Sequence, residues 1–219
     1  MSYELYTISG APRPWRALLG LVAKGVPFTA RVLEASSKQH KAPAFLAINP
    51  RGRVPVLVRG DFVLSESLAI LAYLEREHPE PPLFGRTPEQ SGEVWEQVMV
   101  FDHHLRDAVQ AIVSPLLGVR DALTEPALSQ AAARLRDELA RLETRLERRA
   151  YLCGDAISAA DCVAFPEVRL TLRATARFPD VTARLGFHPL AQIFPRLSQW
   201  LDRIETLSGY EKTFPPHWK

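Results

Sequence analysis

The 219-residue chain is 47% hydrophobic and 24% charged, the balance of an ordinary globular protein with too much apolar surface to remain disordered. Its net charge of +2 comes from 27 basic and 25 acidic residues whose signs interleave, as in Arg141, Glu143, Arg145, Glu147 and Arg148, so no nucleic-acid footprint is visible. The two cysteines, Cys153 and Cys162, are too few for a disulfide scaffold and match no metal-ligand spacing, which points to a metal-free protein of a reducing cytoplasm.

Met1 to Ile8 lacks the basic start and apolar run of a signal peptide, and no apolar stretch approaches a membrane span. Tyr3 to Ile8, rich in aromatic and β-branched residues, reads instead as a strand. Trp15 to Ala23 carries apolar residues on a helical period, and Lys24-Gly25 closes that helix. Phe28 to Leu33 alternates as a second strand, followed by a polar stretch from Glu34 to Lys41. Pro55 to Val58 and Phe62 to Leu64 are short strands joined by hairpin chemistry at Arg59-Gly60-Asp61. Ser65 is placed to cap a helix from Glu66 to about Glu77, with Leu68, Ile70, Leu71, Tyr73 and Leu74 on its apolar face. The resulting order, β-α-β, a polar segment, then β-β-α, implies one parallel strand pair followed by antiparallel strands.

Four prolines between His78 and Pro88 mark a linker. Beyond it the pattern is helical: Glu89 to Val113, ended by Ser114-Pro115; Pro126 to Arg149, with a leucine-rich stripe that reads as core; a helix opened by Ser158 and Asp161 as a capping box; and Pro195 to Arg203, before a tail from Phe214. Asp161 reads as a structural cap rather than a catalytic acid. The expected domains are therefore 1–78, a linker 79–88, and an all-helical 89–219.

The segment Asn49 to Ser67 (NPRGRVPVLVRGDFVLSES), taken with the strand and helix order and with Leu152 to Asp161 (LCGDAISAAD), resembles the glutathione transferases over nearly the whole chain. The resemblance implies a thioredoxin-like α/β domain followed by an all-α domain. It implies a cis bond before Pro55, with the Val54 backbone pairing the cysteinyl part of glutathione as an added strand would. Read from the residues alone, Pro55 is an ordinary proline at a strand start. Glu66 and Ser67, at a helix start where free N–H groups favour an anion, would take the ammonium and carboxylate of the γ-glutamyl group. From residues alone they read more simply as the first turn of a helix capped by Ser65. His40, Lys41 and Arg53 match positions that meet the glycyl carboxylate, or form a solvated polar loop.

One departure stands out. In the serine-type classes that the chain resembles (phi, theta and zeta), a hydroxyl after the first strand donates to the glutathione sulfur. That position is Ala11 here. Ser9 lies two residues early and Arg13 two residues late, so these two are the catalytic candidates, with the backbone N–H groups of Arg13 and Trp15 as donors at the start of the first helix. His103 and His104 are adjacent and cannot share a helix face, which excludes a joint metal site and leaves His103 a surface or acceptor-pocket residue. The resemblance implies a homodimer that uses glutathione as cosubstrate, with no metal, against a small apolar electrophile or a peroxide. Ala11 keeps open a non-catalytic glutathione-binding or regulatory protein on the same fold. A disulfide oxidoreductase is excluded by the lack of any Cys-x-x-Cys.

Overall fold

The computed structural model describes residues 2–119 and 121–218. The chain forms two compact units. Residues up to Leu83, joined by the stretch from Leu207 onward, make one, and Phe84 to Thr206 make the other.

The first unit is built on four strands, β1 (Tyr3–Thr7), β2 (Phe28–Val32), β3 (Val56–Arg59) and β4 (Phe62–Ser65), in the spatial order β2-β1-β3-β4. β1 and β2 are parallel, β1 and β3 antiparallel, and β3 and β4 antiparallel. The parallel pair needs a crossover, which α1 (Pro12–Ala23) supplies. This helix ends as a Schellman motif: Val26 N–H donates to Leu21 O at 3.0 Å and Gly25 N–H to Val22 O at 2.9 Å. The hairpin closes on Gly60-Asp61, with Arg59 opposite Phe62.

Alternation along β1 sorts the helices. Tyr3, Leu5 and Thr7 are buried, and Tyr3 meets Tyr73 of α3 (Ser67–Glu77) edge to face. Tyr6, on the opposite face, packs against Phe45 of the short α2 (Pro43–Leu46). α1 and α3 pack on each other, with Leu71 so close to Gly20 that an added Cβ would sit 2.3 Å from its Cδ2. Lys24 at the end of α1 is buried and bonds Glu75 Oε2 (2.5 Å) and Pro81 O (2.6 Å), while Leu83 N–H donates to the same carboxylate oxygen at 2.8 Å. One lysine thus fixes the proline-rich segment against α1 and α3.

The second unit is helical among its described residues: α4 (Pro88–Val100), α5 (Arg106–Leu116), α6 (Glu125–Arg145), α7 (Ala159–Thr175), α8 (Pro179–Leu185), α9 (Leu190–Ile193) and α10 (Pro195–Glu205). α7 is central, since every residue from Ala159 to Val168 is buried. Asp161 within it is wholly buried and accepts four hydrogen bonds, from Leu152 N–H (2.9 Å), Ser158 N–H (2.8 Å), Ser158 Oγ (2.6 Å) and Trp200 Nε1 (2.8 Å). Burial pushes this carboxyl upward from the usual range, and the four donors pull against it.

Several boundaries depart from the sequence reading. The helix expected over 89–113 is interrupted by a π-helical turn at Phe101–Leu105 and runs on to Leu116 with Pro115 inside. Past the first turn a proline removes one bond of the ladder, and this one does so a single residue before the helix ends. α6 stops at Arg145 rather than Arg149, and the final helix reaches Glu205. Ser65 does not cap α3: it is the last paired residue of β4, opposite Val56, and Glu66 takes the N-cap position without a side-chain bond.

Replacing Asp161 with Ala would leave the Leu152 and Ser158 amides and the Trp200 indole without their acceptor in a dry interior. The expected loss is about 3 kcal/mol or more, a fall in Tm of roughly 10 °C, measured by thermal unfolding followed by circular dichroism.

Candidate functional site

One row of the sheet organises the site. Tyr6 pairs with Val56, and Val56 pairs with Ser65. Just beyond this row lie the end of β1 and its turn into α1, the approach to β3 at Val54-Pro55, and the step from β4 into α3 at Glu66-Ser67. Antiparallel pairing therefore gathers at one sheet end three segments far apart in the chain. Val54 lies beyond the last laddered residue, Val56, and the Val54–Pro55 bond is cis, as the resemblance implied.

Glu66 is exposed and holds φ 72° and ψ 118°, a conformation rare for any residue with a side chain. This geometry breaks the strand and starts the helix in a single residue. The first intrahelical bond of α3 is Ile70 N–H to Glu66 O at 3.0 Å, so the amides of Ser67, Leu68 and Ala69 form the helix's open first turn. Ser67 is buried at 6% exposure and Glu66 lies beside it in solvent, an arrangement suited to a bound carboxylate with a neighbouring ammonium.

The loop before β3 is held by side chains. Asn49 Nδ2 donates to Arg53 O (2.8 Å), Arg51 N–H donates to Asn49 Oδ1 (3.2 Å), and Lys41 Nζ donates to Gly52 O (2.8 Å) and Arg51 O (3.3 Å). Gly52, at φ +56°, is hemmed in: a Cβ there would stand 2.8 Å from His40 O and 2.9 Å from Lys41 Nζ. Lys41 and Arg53 are exposed, and His40 carries a buried Nδ1 with no protein partner. The structure thus brings His40 and Lys41 against the Gly52 loop, one residue ahead of Arg53 and two ahead of Val54. An unsatisfied imidazole nitrogen in a loop that also carries an exposed lysine and an exposed arginine has the chemistry of an anion site.

At the turn from β1 into α1 the donors are few. Ala11 N–H is taken by Ile8 O (3.1 Å), and Trp15 N–H by Ala11 O (3.2 Å). Pro12 and Pro14 have no N–H. Of the two amides expected from sequence, Trp15 is therefore spent within the helix and Arg13 is left. Ser9 Oγ lies 3.3 Å from His217 Nδ1, a partner that the sequence did not signal. A cavity of about 140 Å³ behind the turn, lined by Thr7, Ser9, Ala11, Trp15, Thr213 and Phe214 among others, is too small for a tripeptide. His103 is exposed within the π-helical turn of the second unit, where Arg106 meets Asp107 at 3.5 Å. Burial raises the Cys153 thiol to about 11, so it offers no thiolate near neutral pH. Among the described residues no cluster of three or more His, Cys, Asp and Glu side chains suits a metal ion, and no helix is long and apolar enough to cross a membrane.

Comparison with known proteins agrees with this architecture. Residues 1–76 match the family model described as the glutathione S-transferase N-terminal domain, and residues 125–203 the corresponding C-terminal domain. The chain is 32% identical over 208 residues to glutathione S-transferase F9 of Arabidopsis thaliana, covering 91% of each chain. It is 29% identical to the human glutathione S-transferase theta-1, covering 99% of this chain and 92% of that one. Among solved structures, a glutathione S-transferase from the Antarctic clam Laternula elliptica superposes with a TM-score of 0.83 at 27% identity, covering 100% of this chain and 94% of the other.

The backbone of Glu66 gives a test independent of any ligand. Holding a non-glycine residue in such a conformation costs about 1–3 kcal/mol, and glycine returns about 0.5–1 kcal/mol of this as extra chain entropy when unfolded. Glu66→Gly is therefore expected to stabilise the protein by about 1 kcal/mol, read from denaturant midpoints at unchanged slope.

Proposed function

Because the chain belongs to the glutathione S-transferase family, we propose that it binds glutathione at the sheet end described above and directs its thiolate at a small apolar electrophile or a peroxide. The observation that carries this reading is the shared row Tyr6–Val56–Ser65, which sets the Val54 backbone beside the open first turn of α3. Val54 N–H and C=O pair with the cysteinyl backbone of the tripeptide. Ser67, with the amides behind it, receives the γ-glutamyl carboxylate, and Glu66 receives the ammonium. His40, Lys41 and Arg53 meet the glycyl carboxylate at the other end. The tripeptide is then gripped at three points, and the enzyme's contribution is orientation and thiolate stabilisation.

Ala11 offers no hydroxyl to the sulfur. The Arg13 amide, at the positive end of α1, with the Arg13 guanidinium nearby, takes that part. A thiol with an ordinary value near 8.5 needs only a modest downward shift to ionise at neutral pH. No comparison favours the non-catalytic alternative. The helical unit supplies the apolar acceptor surface, with His103 among its candidate residues, and the molecule works in the cytoplasm as a homodimer.

Calorimetry should show glutathione binding by the wild type and at least tenfold weaker binding by the Glu66→Ala, Ser67→Ala double variant; equal affinity would remove this site. With an activated aryl chloride as probe electrophile, Arg13→Ala, which keeps the amide and removes the guanidinium, should lose roughly tenfold in kcat/KM, the lower end of the cost of a charge-assisted hydrogen bond made in the transition state. Sedimentation at micromolar concentration should give twice the chain mass of 24.5 kDa.

A further inference from the structure

Beyond α10 the chain returns to the first unit, and the stretch from Thr213 to Trp218 lies against the turn that joins β1 to α1. Trp15, 1% exposed, donates Nε1–H to Thr213 Oγ1 at 3.0 Å, and that hydroxyl donates in turn to Tyr210 O at 2.9 Å. Trp218 meets Trp15 edge-on with ring centroids 5.3 Å apart, and Phe214 does so at 6.3 Å. The Trp218 ring also covers Gly10: a Cβ added there would stand 3.1 Å from it, and Gly10 holds φ +79°. Ser9 Oγ pairs with His217 Nδ1 at 3.3 Å. Three positions along the turn and the first helical turn, Ser9, Gly10 and Trp15, thus each rest on a different residue of one short segment.

The turn needs such support. Within it Ala11 N–H donates to Ile8 O, and since the amides of a helix's first turn have no acceptor inside the helix, no intrahelical bond fixes where the Arg13 N–H points. A donor aimed at a developing charge is effective only when its direction is fixed before the reaction. We propose that Thr213, His217 and Trp218 are positioning residues, a strap that fixes the Ser9–Arg13 turn so that the Arg13 amide faces the glutathione sulfur. Ser9 is then a strut held by His217 rather than a proton donor to the sulfur. Glu34, whose carboxyl is held low chiefly by Ser36 and in small part by the charge of His217, is the acidic neighbour of this pair. The inference rests on the glutathione reading above.

The test uses the intact protein and three readouts: glutathione affinity by calorimetry, ultraviolet absorbance of the bound thiolate against pH, and kcat/KM against pH with the aryl chloride. Trp218→Ala and Thr213→Val should move the thiolate titration upward by roughly half to one pH unit and lower kcat/KM roughly threefold to tenfold at pH 6.5, the rate equivalent of that shift. Their glutathione affinity should change less than twofold, and Trp218→Phe should restore most of the lost rate. Ser9→Ala and His217→Gln should give small, equal effects that do not add in the double variant. Thiolate titrations at the wild-type position in folded Trp218→Ala and Thr213→Val would overturn the proposal. Should those two fail to fold, the milder pair decides: equal, non-additive upward shifts support it, and additive effects or none overturn it. A wild type that does not bind glutathione overturns the functional reading and the strap with it, whereas binding and turnover with unmoved variants overturn the strap alone.

Discussion

The register of β3 against its two neighbours is the constraint on which the first unit depends. Val56 faces Tyr6 on one side and Ser65 on the other, and the alternation of buried residues along β1 leaves no freedom to slide. A shift of one residue in β1 would turn Leu5, fully buried, out of the core and bring Glu4 or Tyr6 in. A like shift of β3 against β4 would carry Val54 away from Glu66 and Ser67. Burial of Tyr3, Leu5 and Thr7 on one face of β1 thereby fixes, to within a residue, where main-chain donors and acceptors emerge at the end of the sheet.

Around that end the polar groups are held by one another rather than by packing. Lys41 and Asn49 bind the carbonyls of the Gly52 loop, and at the opposite ends of α1 and α3 Lys24 with Glu75 binds the chain that leaves α3. In the helical unit Asp161 has the same office. Its carboxylate gathers the start of α7, the Leu152 loop and Trp200 of α10 into one knot, and Glu143 of α6 accepts from the Leu197 amide at the opening of α10 at 2.8 Å. Each is a polar or charged side chain that substitutes for backbone bonds no helix or strand can supply.

Much of this was legible in the sequence. Residue type announced β1 and alternation β2, helical spacing announced α1, α3 and α6, and the Ser158–Asp161 spacing announced the capping box that opens α7. The Asn49–Ser67 segment pointed to the candidate site, because its proline, glycine and helix-start residues mark local backbone geometry. Other parts were silent for physical reasons. The short helices α2, α8 and α9 lie among prolines and polar residues, with too few turns for a period to emerge. The dihedral of Glu66 is imposed by the strand before it and the helix after it, so a glutamate there reads as an ordinary complement to a helix dipole. The pairing of Trp15 with Thr213 joins residues 198 positions apart, and a tail of prolines and aromatics gives no hint of what it will cover.

The rim at Val54 and at the start of α3 is drawn largely in main-chain atoms, and main-chain atoms are common to every sequence that adopts the same turn. Side-chain drift around them leaves the pattern of donors and acceptors in place so long as the register survives. A compound that engages only those main-chain atoms would therefore find much the same surface on any chain of this shape and could not tell one from another. Selectivity among such chains has to be sought where they are drawn in side chains: at the alanine, proline and arginine that follow β1, and at the aromatic residues that press on them from the far end of the chain.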